Sequence, residues 1–132
     1  MLKLENINLT YLSRHAETEA LSNLNFTIKE GEFVSLVGPS GCGKTTILSL
    51  IAGLIKATSG RITLAGEVIT KPTTRVGYMF QRDNLFEWLT IMSNITLGQK
   101  IQHKYTSANL NKAEELIKKY GLKIIFYIIY FE

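Results

Sequence analysis

GPSGCGKT, Gly38 to Thr45, matches the pattern of a glycine, four residues, then Gly-Lys-Ser/Thr. In a chain of 132 residues a chance match arises roughly one time in a few hundred, given glycine near about 7% of residues. The flanking residues agree with the motif. FVSLV at 33–37 is an almost wholly apolar run, which predicts a strand buried on both faces that feeds the loop. Beyond the loop, Ile47, Leu48, Leu50, Ile51 and Leu54 fall at helical spacing before a break at KATSG, 56–60. A strand, a glycine-rich loop and a helix in that order aim backbone N–H groups and the positive end of the helix dipole at one point where phosphate oxygens sit. Gly38, Gly41 and Gly43 give the backbone its freedom, and Pro39, Ser40 and Cys42 complete the loop. Lys44 is expected to reach the β- and γ-phosphates, the Thr45 hydroxyl to ligate a bridging Mg²⁺, and Thr46 to donate on the α-phosphate side. A glycine-rich turn with an exposed lysine is the alternative, and it leaves the flanking pattern unexplained.

Working outward, Leu2, Leu4, Ile7 and Leu9 form a mostly alternating strand, and Leu24, Phe26 and Ile28 form another after a polar interruption at 13–19. RITLAGEVI, 61–69, reads as a hairpin turning at Ala65 and Gly66, and Val76 to Phe80 as a further short strand. The expected fold class is therefore α/β, a P-loop core with an antiparallel β portion beside it. Gln81 to Leu89 is irregular and predicts a surface loop. Thr90 is placed to cap a helix ending at Gly98. A second helix, from about Ser107 to Tyr120 and stopped by Gly121, puts Leu110, Ala113, Leu116, Ile117 and Tyr120 on one face.

Hydrophobic residues make up 45% and charged residues 20% of the chain, values of a folding globular protein. The net charge of +4 comes from 15 basic and 11 acidic residues spread without a run, so no nucleic-acid arm is read. The opening MLKLENINLT alternates and lacks the form of a secretory signal. No stretch approaches the ~20 apolar residues of a membrane span, and a single cysteine, Cys42, excludes an internal disulfide framework. Cytoplasmic residence is expected, with any membrane connection running through a partner. Cys42 reads as a small residue that fits the loop, with thiol reactivity at a helix N-terminus the alternative. His15 and His103 have no ligand-spaced partners and read as surface residues, and KAEELIKK, 112–119, as the solvated face of a helix.

Gly31 to Ile69 resembles the nucleotide-binding domain of ABC transporters, and Val76 to Gly98 resembles its glutamine loop and following helix. The Gln-Arg-Asp-Asn-Leu-Phe-Glu-Trp wording at 81–88 is similar to importers of the nitrate, sulfonate, taurine and thiamine-precursor type. The resemblance covers residues 1 to about 122 and implies an ATP-binding subunit using ATP and Mg²⁺. By position it makes Tyr11 the aromatic that stacks on adenine and Gln81 the residue that contacts Mg²⁺ and the attacking water. It makes 82–89 the surface that receives a transmembrane permease subunit, with Leu85, Phe86, Trp88 and Leu89 as an apolar patch. Folding of these side chains into the core is the alternative for the patch, and an ordinary strand-end tyrosine for Tyr11. Asp83 belongs to this loop and is not placed as a catalytic base. The resemblance further implies a second ATP-binding subunit facing the P-loop, and a location on the inner face of the membrane.

The sequence departs from the family's pattern in its later part. It contains no Ser-Gly-Gly-Gln signature, no apolar strand ending in Asp-Glu and no later histidine switch, and Asp83 is its only aspartate. Nucleotide binding is therefore expected of this chain, and hydrolysis by it alone is not. Residues 123–132, ending in IIFYIIYFE, change composition abruptly. The expectation is a truncation, with a tail from a frameshift in an AT-rich gene; a terminal strand is the structural alternative. Two other functions stay open: a different P-loop protein, such as a GTPase or small-molecule kinase, and an inert product of a disrupted gene. Asn111, Lys112, Ala113 and Glu114 miss the Asn-Lys-x-Asp motif of a GTPase at the last residue.

Overall fold

The structure is a computed structural model describing residues 1–14, 16–82 and 84–121. The expectations for His15, Asp83 and the apolar tail lie outside the described residues. The chain divides after Met79 into two units.

The first unit is built on a four-stranded antiparallel sheet of order β2-β1-β3-β4, with β1 Leu2–Leu12, β2 Glu17–Ile28, β3 Ser59–Leu64 and β4 Glu67–Val68. The polar interruption shrinks to a turn closed by a hydrogen bond from the Ser13 N–H to the Ala16 carbonyl at 2.9 Å. Glu17, Thr18 and Glu19 instead extend β2 opposite Leu12, Tyr11 and Thr10. The pairing of β1 with β2 slips at bulges, where Asn6 (φ 50°) and Asn23 (φ 44°) take left-handed conformations that asparagine tolerates better than most residues. Neighbouring side chains replace the disturbed ladder there: Asn25 Oδ1 accepts from Asn6 N–H and Asn8 Oδ1 from Asn23 N–H, both at 2.7 Å. Ala65 (φ 51°) and Gly66 (φ 85°) form the expected hairpin turn, in the doubly left-handed geometry that matches strand twist.

Helix α1, Lys44–Ile51, follows the glycine-rich loop. Eight residues are too few for a helix to be stable alone, so packing holds it. Ile47 and Leu50, three apart on one face, join Leu4, Ile7, Leu9, Leu21 and Ile62 of the sheet in one buried cluster, each buried side chain being worth about 1.5–3 kcal/mol. The helix is shorter than its apolar spacing predicts. Gly53 (φ 72°) donates to Leu50 O at 3.0 Å and Leu54 to Ser49 O at 2.9 Å, a terminating pattern that leaves Leu54 outside the helix. A side chain at Gly53 would stand 2.5 Å from the Lys71 carbonyl oxygen, so only glycine fits this stop.

Two predicted strands are corrected. Residues 33–37 are not a strand, and Phe33 and Val37 are 96% and 92% exposed. Residues 76–80 are likewise outside any strand, with Met79 exposed. An apolar run states a preference for burial, but a strand also needs neighbours to pair its backbone and cover its faces. Neither run is among the four strands of the sheet.

The second unit holds the loop 84–90 and helices α2, Ile91–Ile101, and α3, Ser107–Lys119, which pack on each other. Thr90 caps α2 as expected, its hydroxyl accepting from Ser93 N–H at 3.1 Å, and Thr106 caps α3 through Asn109 N–H. Gly98 does not end α2. It lies within the helix, and His103 (φ 54°) takes the left-handed position of the stop, with His103 donating to Lys100 O and Lys104 to Gln99 O. Gly121 (φ 75°) ends α3 as expected. On the apolar face of α3 only Ala113 and Ile117 are buried; Leu116 and Tyr120 are 44% and 71% exposed.

Candidate functional site

The glycine-rich loop leaves the exposed segment 33–37 and turns at Pro39 to Cys42, where the Cys42 N–H reaches the Pro39 carbonyl at 3.4 Å. Gly43 closes it in a left-handed conformation (φ 90°, ψ 5°) as the N-cap of α1, with no side-chain cap. A Cβ here would meet Leu21 Cδ2 at 3.0 Å and the Ala20 carbonyl oxygen at 3.3 Å. The loop therefore rests on β2, and the buried Leu21 and the Ile47–Leu50 face of α1 fix its height above the sheet.

The first turn of α1 carries no acidic residue, and a helix start leaves its leading N–H groups without intrahelical acceptors. Those donors and the helix dipole make the point beyond Gly43 attractive to an anion. Lys44 adds a cation at the same place. Its Nζ donates to the carbonyls of Gly38 at 2.7 Å and Pro39 at 2.6 Å and lies 3.4 Å from Cys42 Sγ, so the ammonium curls back over its own loop. Thr45 is exposed and Thr46 half-buried, at the second and third positions of α1. The arrangement fits the phosphates of a nucleotide. Among the described residues no group of three or more His, Cys, Asp or Glu side chains stands ready to hold a metal ion.

Tyr11, 47% exposed, stands near the end of β1 opposite Thr18. Leu9, two residues or about 7 Å along the strand, pairs with the Leu21 on which Gly43 rests. Tyr11 thus belongs to the same end of the sheet as the loop. Gln81 is exposed and lies in the second unit, ahead of the 84–90 loop.

In that unit Leu85 and Phe86 are 41% and 40% exposed, Trp88 is 73% exposed and Leu89 is half-buried. Trp88 is thus the most exposed of the four. The Phe86 and Trp88 rings meet at a centroid distance of 5.0 Å, tilted by 52°. Sequence reasoning passed over the residue that shapes this loop: the Asn94 side chain bonds to its backbone at Phe86, Leu89 and Thr90. Neither composition nor periodicity distinguishes such an asparagine from a solvent-facing one. Among the described residues no helix is long and apolar enough to cross a membrane.

Comparison with known proteins agrees with this geometry. The chain is 40% identical over 121 residues to the uncharacterized ABC transporter ATP-binding protein YtlC of Bacillus subtilis, covering 92% of this chain and 46% of that protein. It is 40% identical over 120 residues to the taurine import ATP-binding protein TauB of Pelagibacter ubique, covering 90% and 45%. Two dimeric structures of the ATP-binding cassette MJ0796, one bound to ADP and Pi, superpose with TM-scores of 0.82 and 0.80 at 33% and 34% identity. They cover 96% of this chain and 60% of their own. The chain thus spans about half the length of the curated relatives it matches. With the ABC transporter family profile matching residues 21–126, a glycine-rich loop opening a helix over an antiparallel sheet and a fold shared with solved cassettes, the chain belongs to the ABC transporter family.

Proposed function

We propose that this chain is the nucleotide-binding part of an ATP-binding subunit of an importer, taking Mg-ATP at Gly38 to Thr46. The single observation that carries the reading is the Gly43 turn: a left-handed glycine seated on β2 presents the open start of α1 and the Lys44 ammonium to one point. Lys44 would exchange its loop carbonyls for phosphate oxygens, the Thr45 hydroxyl would hold Mg²⁺, and Tyr11 would stack on adenine. When bound, Mg²⁺ supplies charge neutralisation of the triphosphate.

The exposed Leu85, Phe86 and Trp88, with Leu89, form the surface for a transmembrane permease subunit, which places the chain peripherally on the inner face of the membrane. The P-loop faces a second ATP-binding subunit, as the dimeric cassettes encourage. The relative named for taurine import suggests small organic sulfonates as the cargo class, chosen by the partners.

Calorimetric titration of the full chain with Mg-ATP tests the reading, beside a Lys44→Ala variant. Saturable binding, weakened at least tenfold in the variant, is expected. A folded chain with no heat of binding would refute the proposal and favour an inert product.

A further inference from the structure

Among the described residues, the side chain that bonds to the backbone of the turn displaying Phe86 and Trp88 is that of Asn94. Asn94 Oδ1 accepts from the Phe86 N–H at 2.7 Å, and Asn94 Nδ2 donates to the carbonyls of Phe86 at 3.0 Å, Thr90 at 3.2 Å and Leu89 at 3.3 Å. The amide has one workable orientation, because one of its atoms faces a donor and the other faces three acceptors. It engages both backbone groups of Phe86, as a neighbouring strand would. The Phe86 carbonyl also accepts from the Leu89 N–H at 3.0 Å, closing a tight turn with Glu87 and Trp88 at its tip. Asn94 is itself fixed, on the first turn of α2, by its own N–H donating to Thr90 O at 2.9 Å and by the Thr90 cap.

We propose that Asn94 is the positioning residue of the docking loop, its side-chain amide holding 86–90 in a preformed turn that presents the tilted Phe86–Trp88 pair to a partner. The chemistry singles out asparagine. Aspartate lacks any donor for the three carbonyls, between which the two amide hydrogens of asparagine are shared, alanine lacks both ends, and glutamine places the amide a methylene too far out. A preformed turn lowers the ordering cost of association, since the loop no longer has to be fixed by the partner. Trp88, 73% exposed in a loop that makes its own hydrogen bonds, is held out of the core by this turn. The consequence for docking rests on the permease reading above, whereas the assignment of Asn94 does not.

The test uses the free full chain, so no partner is needed. In Asn94→Ala the amide protons of Phe86 and Leu89 are expected to exchange with deuterium at least tenfold faster, while the α2 amides from Ile95 onward stay within twofold. In Asn94→Asp, which keeps an acceptor for Phe86, the Phe86 amide keeps its protection. The near-UV circular dichroism of Trp88, the only tryptophan, falls by more than half in both variants. Unchanged exchange at Phe86 in Asn94→Ala overturns the proposal, as does a wild-type Trp88 signal in Asn94→Asp. Acceleration spread evenly along α2 overturns it too, by reducing Asn94 to a helix residue. Failure of the docking reading shows separately: a Trp88→Ala chain, with its Asn94 bonds intact, would then associate with permease proteoliposomes as the wild type does.

Discussion

Replacing Gly43 by alanine perturbs the turn on which the nucleotide site depends. Gly43 sits at φ 90°, where a residue bearing a Cβ pays about 1–2 kcal/mol. The added carbon would approach Leu21 Cδ2 to 3.0 Å and the Ala20 carbonyl oxygen to 3.3 Å. Leu21 is buried in the sheet-helix cluster, so its displacement costs about 1 kcal/mol more. Alanine recovers about 0.5–1 kcal/mol by restricting the unfolded chain. The net loss is about 1.5 kcal/mol, near tenfold in the folded-to-unfolded ratio. With a slope of about 2 kcal/mol per molar urea, the midpoint falls by roughly 0.75 M. Urea unfolding followed by far-ultraviolet circular dichroism measures this, with Gly77→Ala as the control, because Gly77 has no positive φ and nothing within 4 Å of a built Cβ. A Gly43→Ala midpoint equal to that of the control would refute the argument that the loop is seated on β2.

Three further outcomes follow from local geometry. Thr90→Ala removes the acceptor for Ser93 N–H and should lower stability by about 1 kcal/mol, read from Trp88 fluorescence during chemical unfolding. His103→Gly relieves a left-handed histidine at the end of α2 and should raise stability by about 0.5–1 kcal/mol, seen as a higher melting temperature. Arg75→Gln breaks the 2.9 Å pair with Glu67, whose side chains are 53% and 70% exposed; screening by solvent keeps the change within about 0.5 kcal/mol, so an unchanged urea midpoint is expected.

The elements legible in the sequence are those whose causes are local. The Ala65–Gly66 turn, the Thr90 cap and the Gly121 stop each depend on residues within one turn of chain. Even the bulge left a trace, since the apolar spacing of β1 jumps by three between Leu4 and Ile7, where the register slips. The misreadings occur where the cause is distant. The run 33–37 carries the composition of a buried strand but is not among the four strands of the sheet. Gly98 resembles a helix stop, yet the pair of hydrogen bonds that ends α2 forms around His103. Leu116 and Tyr120 share the apolar face of α3 but lie beyond what α2 covers. In the site, the glycines and Lys44 were readable because a phosphate cradle demands those residue types at that spacing. The support of the cradle by Ala20 and Leu21, and of the aromatic loop by Asn94, arises only when the chain folds back on itself.

The most direct measurement is an amide-resolved NMR titration of the isotope-labelled full chain with Mg-ATP. The account predicts saturable shifts at Gly41, Gly43, Lys44, Thr45 and Thr46, the N–H groups that converge on the phosphate position, and their loss in Lys44→Ala. Amide shifts that fail to saturate there, or saturable shifts confined to residues away from Gly38 to Thr46, would contradict it.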